Sequence, residues 1–299
     1  MSESNAWDET RVTWKEWIKG CVVKMCSASL AGGRPHADYL AQLGMPRDRV
    51  FLGYDAVDND YFSTKADESR KQNAETKKKL GLPDHYFLAS ARFVEKKNLT
   101  RLIQAYARYH ELVGKEESGK QKSAIWKLVL LGDGPLKSDL CRLISDLNLN
   151  GHVQMPGFVQ YPQLPAFYGL AGAFVHASTT EQWGLVVNEA MASGLPVLVS
   201  NRCGCAQDLV QDGVNGFTFD PENTGGLADL MLKISVSDFP LPAFGDASRR
   251  IIADWGPERF ASGLKAAVDC ALAAPHRKGT FLDRVLLGLL LRRRPPSEA

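Results

Sequence analysis

From Phe87 to Ile234 the chain repeats one pattern, an apolar strand-like run followed by a segment with helical spacing. Phe87–Arg92 and Lys127–Gly132 are continuous apolar runs bounded by turn residues, the signature of strands buried on both faces. Further strands are expected at His152–Met155, Gly172–Ala177, Pro196–Ser200 and Gly216–Phe219. Between them, helices are expected at Leu99–Leu112, Leu136–Leu147, Gln163–Leu170, Val186–Ala192, Ala206–Gln211 and Gly226–Ile234, with Pro135 at a first helical position. About five or six βα units in succession predict an α/β fold with a doubly wound parallel sheet. Ligands of such sheets bind beyond the carboxyl ends of the strands, so the informative loops follow Ser90, Leu131, Pro156 and Ser178.

Upstream, Arg11–Lys19 and Pro35–Leu43 have helical spacing, whereas Cys21–Met25 and Arg49–Leu52 look like short strands. This is too little to close a second α/β domain. The charged stretch Asp67–Lys79 reads as a solvated loop or helix entry. A composition of 44% apolar and 23% charged residues suits a globular chain, and the net charge of +2 gives no reason to expect a nucleic-acid surface. No apolar run is long enough for a spanning helix, and the start lacks a secretory apolar stretch. The six cysteines form no CxxC pair, which favours reduced thiols in a cytoplasmic protein over a zinc site or a disulfide framework.

Within the loops, Arg92 and Lys97 can reach one anionic group together, assisted by the following helix N-terminus; spacing alone favours a solvated surface pair. Glu181 and Glu189 bracket a turn in which Gly184 permits close approach, and the N–H groups of Leu185 and Val186 suit a phosphate or a sugar hydroxyl. Phe158 either faces a nucleobase or fills the core. Gly132 belongs to a tight turn lining the same region, with neither a GxGxxG nor a Walker lysine. His176 reads as a core histidine. No histidine or cysteine pattern supports a metal.

Six segments in this order resemble glycosyltransferase family 4, of GT-B architecture. They are YDAVDNDYF (Tyr54–Phe62), SARFVEKKN (Ser90–Asn98), LVLLGDGP (Leu128–Pro135), VQMPGFV (Val153–Val159), EQWGLVVNEAMASGLPVLVSNRCG (Glu181–Gly204) and LVQDGVNGFTFDP (Leu209–Pro221). The E-x7-E segment with its trailing ASGLPV is the most specific. The resemblance implies a UDP- or GDP-sugar donor, no bound metal and transfer with retention. It assigns Arg92 and Lys97 to the departing diphosphate, Lys97 being preferred to Lys96. It assigns Glu189 to the ribose, and Glu181 with the Gly184–Val186 backbone to the donor sugar. Asp58-Asn59-Asp60 falls in the linker motif and is not read as a metal site.

The expected division is a remnant of an amino-terminal acceptor domain and linker at 1–60, a nucleotide-sugar-binding domain at 61–275, and an amphipathic basic tail at 276–299. The acceptor half of a GT-B cleft is therefore expected from a separate domain or subunit. The alternatives are a non-catalytic nucleotide-sugar-binding or regulatory subunit and a truncated inactive product. In the tail, Leu282, Val285, Leu286, Leu289 and Leu290 share a helical face ahead of Arg292–Arg294. Residues 281–294 are thus expected to contact a membrane surface or to pack on another domain.

Overall fold

The computed structural model describes residues 1–116, 125–275 and 280–291. By internal packing the chain divides into Met1–Tyr54 together with the residues from Ala261 on, and Asp55–Phe260.

The first unit contains α1 (Thr13–Met25), β1 (Ser29–Ala31), α2 (Arg34–Gln42) and β2 (Val50–Leu52). Strands β1 and β2 pair in parallel. The apolar run at Cys21–Met25, expected as a strand, instead completes α1, and the strand falls later, at Ser29. A short apolar run does not distinguish strand from buried helix. Here the helix continues because Gly20 lets the Leu43 carbonyl approach to 3.2 Å from where a β-carbon would stand.

The second unit opens with α3 (Asn59–Lys71) and α4 (Asn73–Leu80). Of the loop or helix entry expected at Asp67–Lys79, the structure has helix throughout except at Gln72. Asp58 caps α3 by accepting from the Tyr61 N–H at 2.8 Å, Phe62 and Ala66 form its buried seam, and the charges occupy the remaining faces. Asp67 accepts from Arg70 at 2.7 Å and from Arg249 at 2.6 Å.

Then follow β3 (Tyr86–Ser90), α5 (Leu99–Glu116), β4 (Lys127–Leu131), α6 (Lys137–Asp146), β5 (Val153–Gly157), α7 (Leu164–Leu170) and β6 (Ala173–His176). The series continues with α8 (Leu185–Ala192), β7 (Val197–Ser200), α9 (Ala206–Leu209), β8 (Gly216–Phe219) and α10 (Thr224–Ser235). Helix α6 begins two residues beyond Pro135, because Leu136 is tied back to the Phe93 carbonyl at 3.2 Å. Helices α11 (Leu241–Ala253) and α12 (Pro257–Ala273) occupy a stretch outside the elements expected from the sequence, and α13 spans Phe281–Leu291.

The six strands form one parallel sheet in the order β5-β4-β3-β6-β7-β8. Successive residues of each strand serve opposite layers. Phe87, Leu128, Leu130 and Val175 pack with residues of α5 and α10, while Leu88, Val129 and Phe174 pack with residues of α3, α7 and α8. Both faces are buried, which is why the strands read as continuous apolar runs. The chain proceeds outward from β3 in one direction and from β6 in the other, so the topological switch point lies between them. Crevices for ligands form beyond the carboxyl ends of strands at such a point.

Candidate active site at the switch point

Beyond β3 the backbone turns sharply. Phe93 is buried and anchors the turn, leaving Arg92 exposed. The turn is bonded to the one after β4. Ala91 N–H donates to the Leu131 carbonyl at 3.0 Å, and Phe93 N–H to that of Asp133 at 2.9 Å. Gly132 N–H donates to the Gly157 carbonyl at 2.9 Å, which links the β4 turn to the end of β5. Just past β5, Phe158 is 71% exposed, so it projects outward and does not fill the core.

These loops and α8 enclose a cleft of 610 Å³ lined by residues that include Arg92, Gly132, Phe158, Tyr161, Val186 and Glu189. Five of the residues singled out from the sequence, Arg92, Gly132, Phe158, Val186 and Glu189, thus share one cavity wall. Gly184 caps α8 in the left-handed region at φ 107°, which favours glycine. A β-carbon there would stand 3.5 Å from both the Glu181 side chain and His176 Nε2. Leu185 opens α8 and is 40% exposed; its N–H and that of Val186 lie in the first turn, which has no intrahelical acceptors.

The two glutamates occupy contrasting settings. Glu189 accepts a hydrogen bond from the fully buried Tyr168 hydroxyl at 2.7 Å. Burial raises its pKa to about 7, and the Tyr168 bond offsets only part of that rise. Burial likewise pushes up the Glu181 carboxyl, but contacts with His176 and Lys97 overcome it and hold its pKa at about 2. Lys97 Nζ pairs with Glu181 Oε2. His176 Nε2 and Ser178 Oγ each lie 3.3 Å from the same oxygen. Burial depresses the His176 pKa, which favours the neutral imidazole.

Lys97, which the resemblance assigns with Arg92 to one diphosphate, pairs here with Glu181. His176 is buried as a core histidine should be, but it also touches the site. The sequence reading missed Tyr168, Ser178 and Asn98 as well. Asn98 adopts φ 56° at the end of the Glu95–Lys97 turn, and its buried amide donates to the carbonyls of Ala177 at 3.0 Å and Pro221 at 2.8 Å. It fixes the Lys97 turn against the ends of β6 and β8. An asparagine after a charged run, before a helix, is the only signal the sequence offers for it.

The family model of glycosyl transferases group 1 matches residues 70–244. The chain is 30% identical over 159 residues to the alpha-monoglucosyldiacylglycerol synthase of Acholeplasma laidlawii, a match covering 52% of this chain and 37% of that protein. It is 31% identical over 145 residues to a GDP-mannose-dependent alpha-(1-6)-phosphatidylinositol monomannoside mannosyltransferase of Mycobacterium tuberculosis, covering 46% and 37%. The chain thus spans less than half the length of these relatives. Among solved structures, the Anabaena Alr3699/HepE protein in complex with UDP superimposes with a TM-score of 0.65 at 20% identity, covering 81% of this chain and 64% of that one. Likeness at that identity establishes the shared fold.

Proposed function

The chain belongs to the glycosyl transferases group 1 family, and from that premise we propose that the switch-point cleft binds a UDP- or GDP-sugar donor and serves glycosyl transfer. One observation carries the reading. An exposed arginine after β3 and a half-buried carboxylate on α8 share the cleft wall, and the Lys97–Glu181 ion pair stands beside the Gly184 cap of the same helix.

In this reading Glu189 accepts from the ribose hydroxyls and the Phe158 loop faces the base beside Gly132. Arg92, Lys97 and the first-turn N–H groups of α8 receive the diphosphate. Glu181 and the Gly184–Val186 backbone hold the sugar. The bond from the anomeric carbon to the diphosphate oxygen breaks, and the electron pair leaves with the phosphate. The acceptor oxygen bonds on the face being vacated, which retains configuration, and its proton passes to the departing phosphate oxygen. Arg92 and Lys97 neutralise the charge that develops there, without a metal. The acceptor is supplied by a domain or subunit other than Asp55–Phe260.

UDP, GDP and their sugar conjugates titrated calorimetrically into the full chain test the donor site. Arg92→Ala is expected to weaken binding about tenfold, the worth of one charge-assisted contact of about 1.4 kcal/mol. If none of these ligands binds, the donor reading is wrong.

We also propose a cytoplasmic protein that touches a membrane surface through residues 281–294, a location consistent with the lipid names carried by both relatives. No helix among the described residues is long and apolar enough to cross a membrane. In α13, Val285 and Leu289 are exposed whereas Leu286 and Leu290 are half-buried. The Leu282 side chain and Arg292–Arg294 lie outside the described residues. The full chain is expected to float with anionic vesicles, and Leu289→Glu to cut the bound fraction several-fold. Flotation with neither anionic nor neutral vesicles would favour packing against protein instead.

A further inference from the structure

Glu181 is held unevenly. The hydrogen bonds and ion pair that its side chain makes among the described residues all fall on Oε2, from Lys97, His176 and Ser178, and none falls on Oε1. The three donors differ in kind. Lys97 is a charged group on a flexible stem, with 16% of its side chain exposed. His176 and Ser178 are 3% and 0% exposed and sit at the end of β6 and just beyond it. As neutral donors on a rigid strand end, they feel little pull from an arriving anion. The lysine feels a strong one, because a diphosphate carries more negative charge than a single carboxylate and presents it on several oxygens.

Resting on the donor-site reading above, we propose that Lys97 is exchanged between two anions, the Glu181 carboxylate and the donor diphosphate. His176 and Ser178 are the positioning residues that keep Glu181 in place when the lysine is drawn away. Glu181 then competes with the diphosphate for Lys97 and, once relieved of it, presents a carboxylate held at Oε2 with Oε1 turned to the sugar. The competition makes the free nucleotide diphosphate a weaker ligand than its contacts alone would give. A donor recovers that loss through the sugar's own bonds to Glu181, so the exchange favours intact donor over spent nucleotide.

UDP and GDP, which lack the sugar, isolate the competition. In calorimetric titrations of the full chain, Glu181→Gln is expected to bind the nucleotide about tenfold more tightly than wild type, and Lys97→Ala more weakly. In the Lys97→Ala background, Glu181→Gln should give no further gain. His176→Leu leaves Glu181 more dependent on the lysine and is expected to weaken UDP binding several-fold. His176→Gln, which retains an N–H donor, should restore it, a rescue that a purely space-filling histidine would not show. A wild-type chain that binds neither nucleotide overturns the donor reading and the exchange with it. A wild type that binds, paired with a Glu181→Gln variant that binds no more tightly, overturns the exchange alone. So does a gain of equal size in the Lys97→Ala background, which would mark simple long-range repulsion.

Discussion

At pH 8, Glu189→Gln is expected to melt about 5 °C higher than wild type while binding UDP or GDP some thirtyfold more weakly. Both effects come from placing a carboxylate where burial raises its pKa from 4.5 to about 7. Between these values the folded chain binds a proton that the unfolded chain has released, so stability falls as pH rises through that window. The penalty is absent below the lower value and complete above the higher one. At 1.36 kcal/mol per unit it approaches about 3 kcal/mol, less what the remaining solvent contact relieves. Glutamine keeps an acceptor for the Tyr168 hydroxyl but carries no charge, so it escapes the penalty. About 2 kcal/mol recovered in a unit of this size corresponds to about 4–8 °C. The thermal gain should shrink to nothing toward pH 4.5. Binding moves the opposite way, because hydrogen bonds from ribose hydroxyls to a charged acceptor are worth about 1.5–3 kcal/mol. The affinity ratio of wild type to variant should rise with pH across 6–8, and taking the ratio cancels the ionisation of the phosphates. An unchanged melting temperature at pH 8, together with a ratio that ignores pH, would show that Glu189 is neither strained nor the ribose acceptor.

What the sequence discloses about this site and what it hides have a common physical origin. Phe87–Ala89, Leu128–Leu131 and Val197–Val199 are legible as strands because a sheet covered on both faces needs apolar residues at every position. Arg92 and Glu181 are legible because they stand in the turns that follow such runs, and Glu189, within α8, because the E-x7-E segment resembles that of a known family. The pairing of Lys97 with Glu181 is not legible, because it joins residues 84 apart. It exists because β3 lies beside β6, an order that no local pattern encodes. The same is true of Tyr168 and Glu189, which come from α7 and α8 on the same layer. His176 illustrates the limit: an apolar strand explains its burial, but only the neighbouring loop explains what its Nε2 touches. Helix α11 is legible in hindsight, since Phe244, Ala247, Ser248 and Ile252 fall at helical spacing and form its buried face, with small residues along it. The small residues are there for contact. A β-carbon at Gly245 would stand 2.3 Å from the Gly194 carbonyl oxygen, so α11 sits directly on the chain leaving α8.

The largest destabilisation is expected from Gly132→Ala. Gly132 stands at φ 126°, where an L-residue is strained, and its β-carbon would lie 1.9 Å from the Ala91 carbonyl oxygen and 3.3 Å from the Phe93 ring. The oxygen belongs to backbone that cannot rotate away, because Ala91 N–H is bonded to Leu131 and Phe93 N–H to Asp133. Making room therefore means separating the β3 and β4 turns, with loss of the Ala91–Leu131 and Phe93–Asp133 bonds. Even at their lower ends, strain of about 1–3 kcal/mol, overpacking of a similar size and about 1 kcal/mol for each of the two bonds lost sum to about 4 kcal/mol. In a unit of this size that lowers the melting temperature by about 8–16 °C. Binding should fail as well, since Arg92 and Phe158 ride on the turns that move. Gly157→Ala is the control. Its φ of 91° carries the same kind of backbone strain, but a β-carbon there meets no heavy atom within 4 Å, so about 1–2 kcal/mol is the whole expected cost. A Gly132→Ala protein that melts with the Gly157→Ala variant and still binds nucleotide would show that close approach of the two turns is not what this glycine provides. A protein that folds only at low temperature, and without nucleotide affinity, would show that Gly132 acts by letting the turns meet.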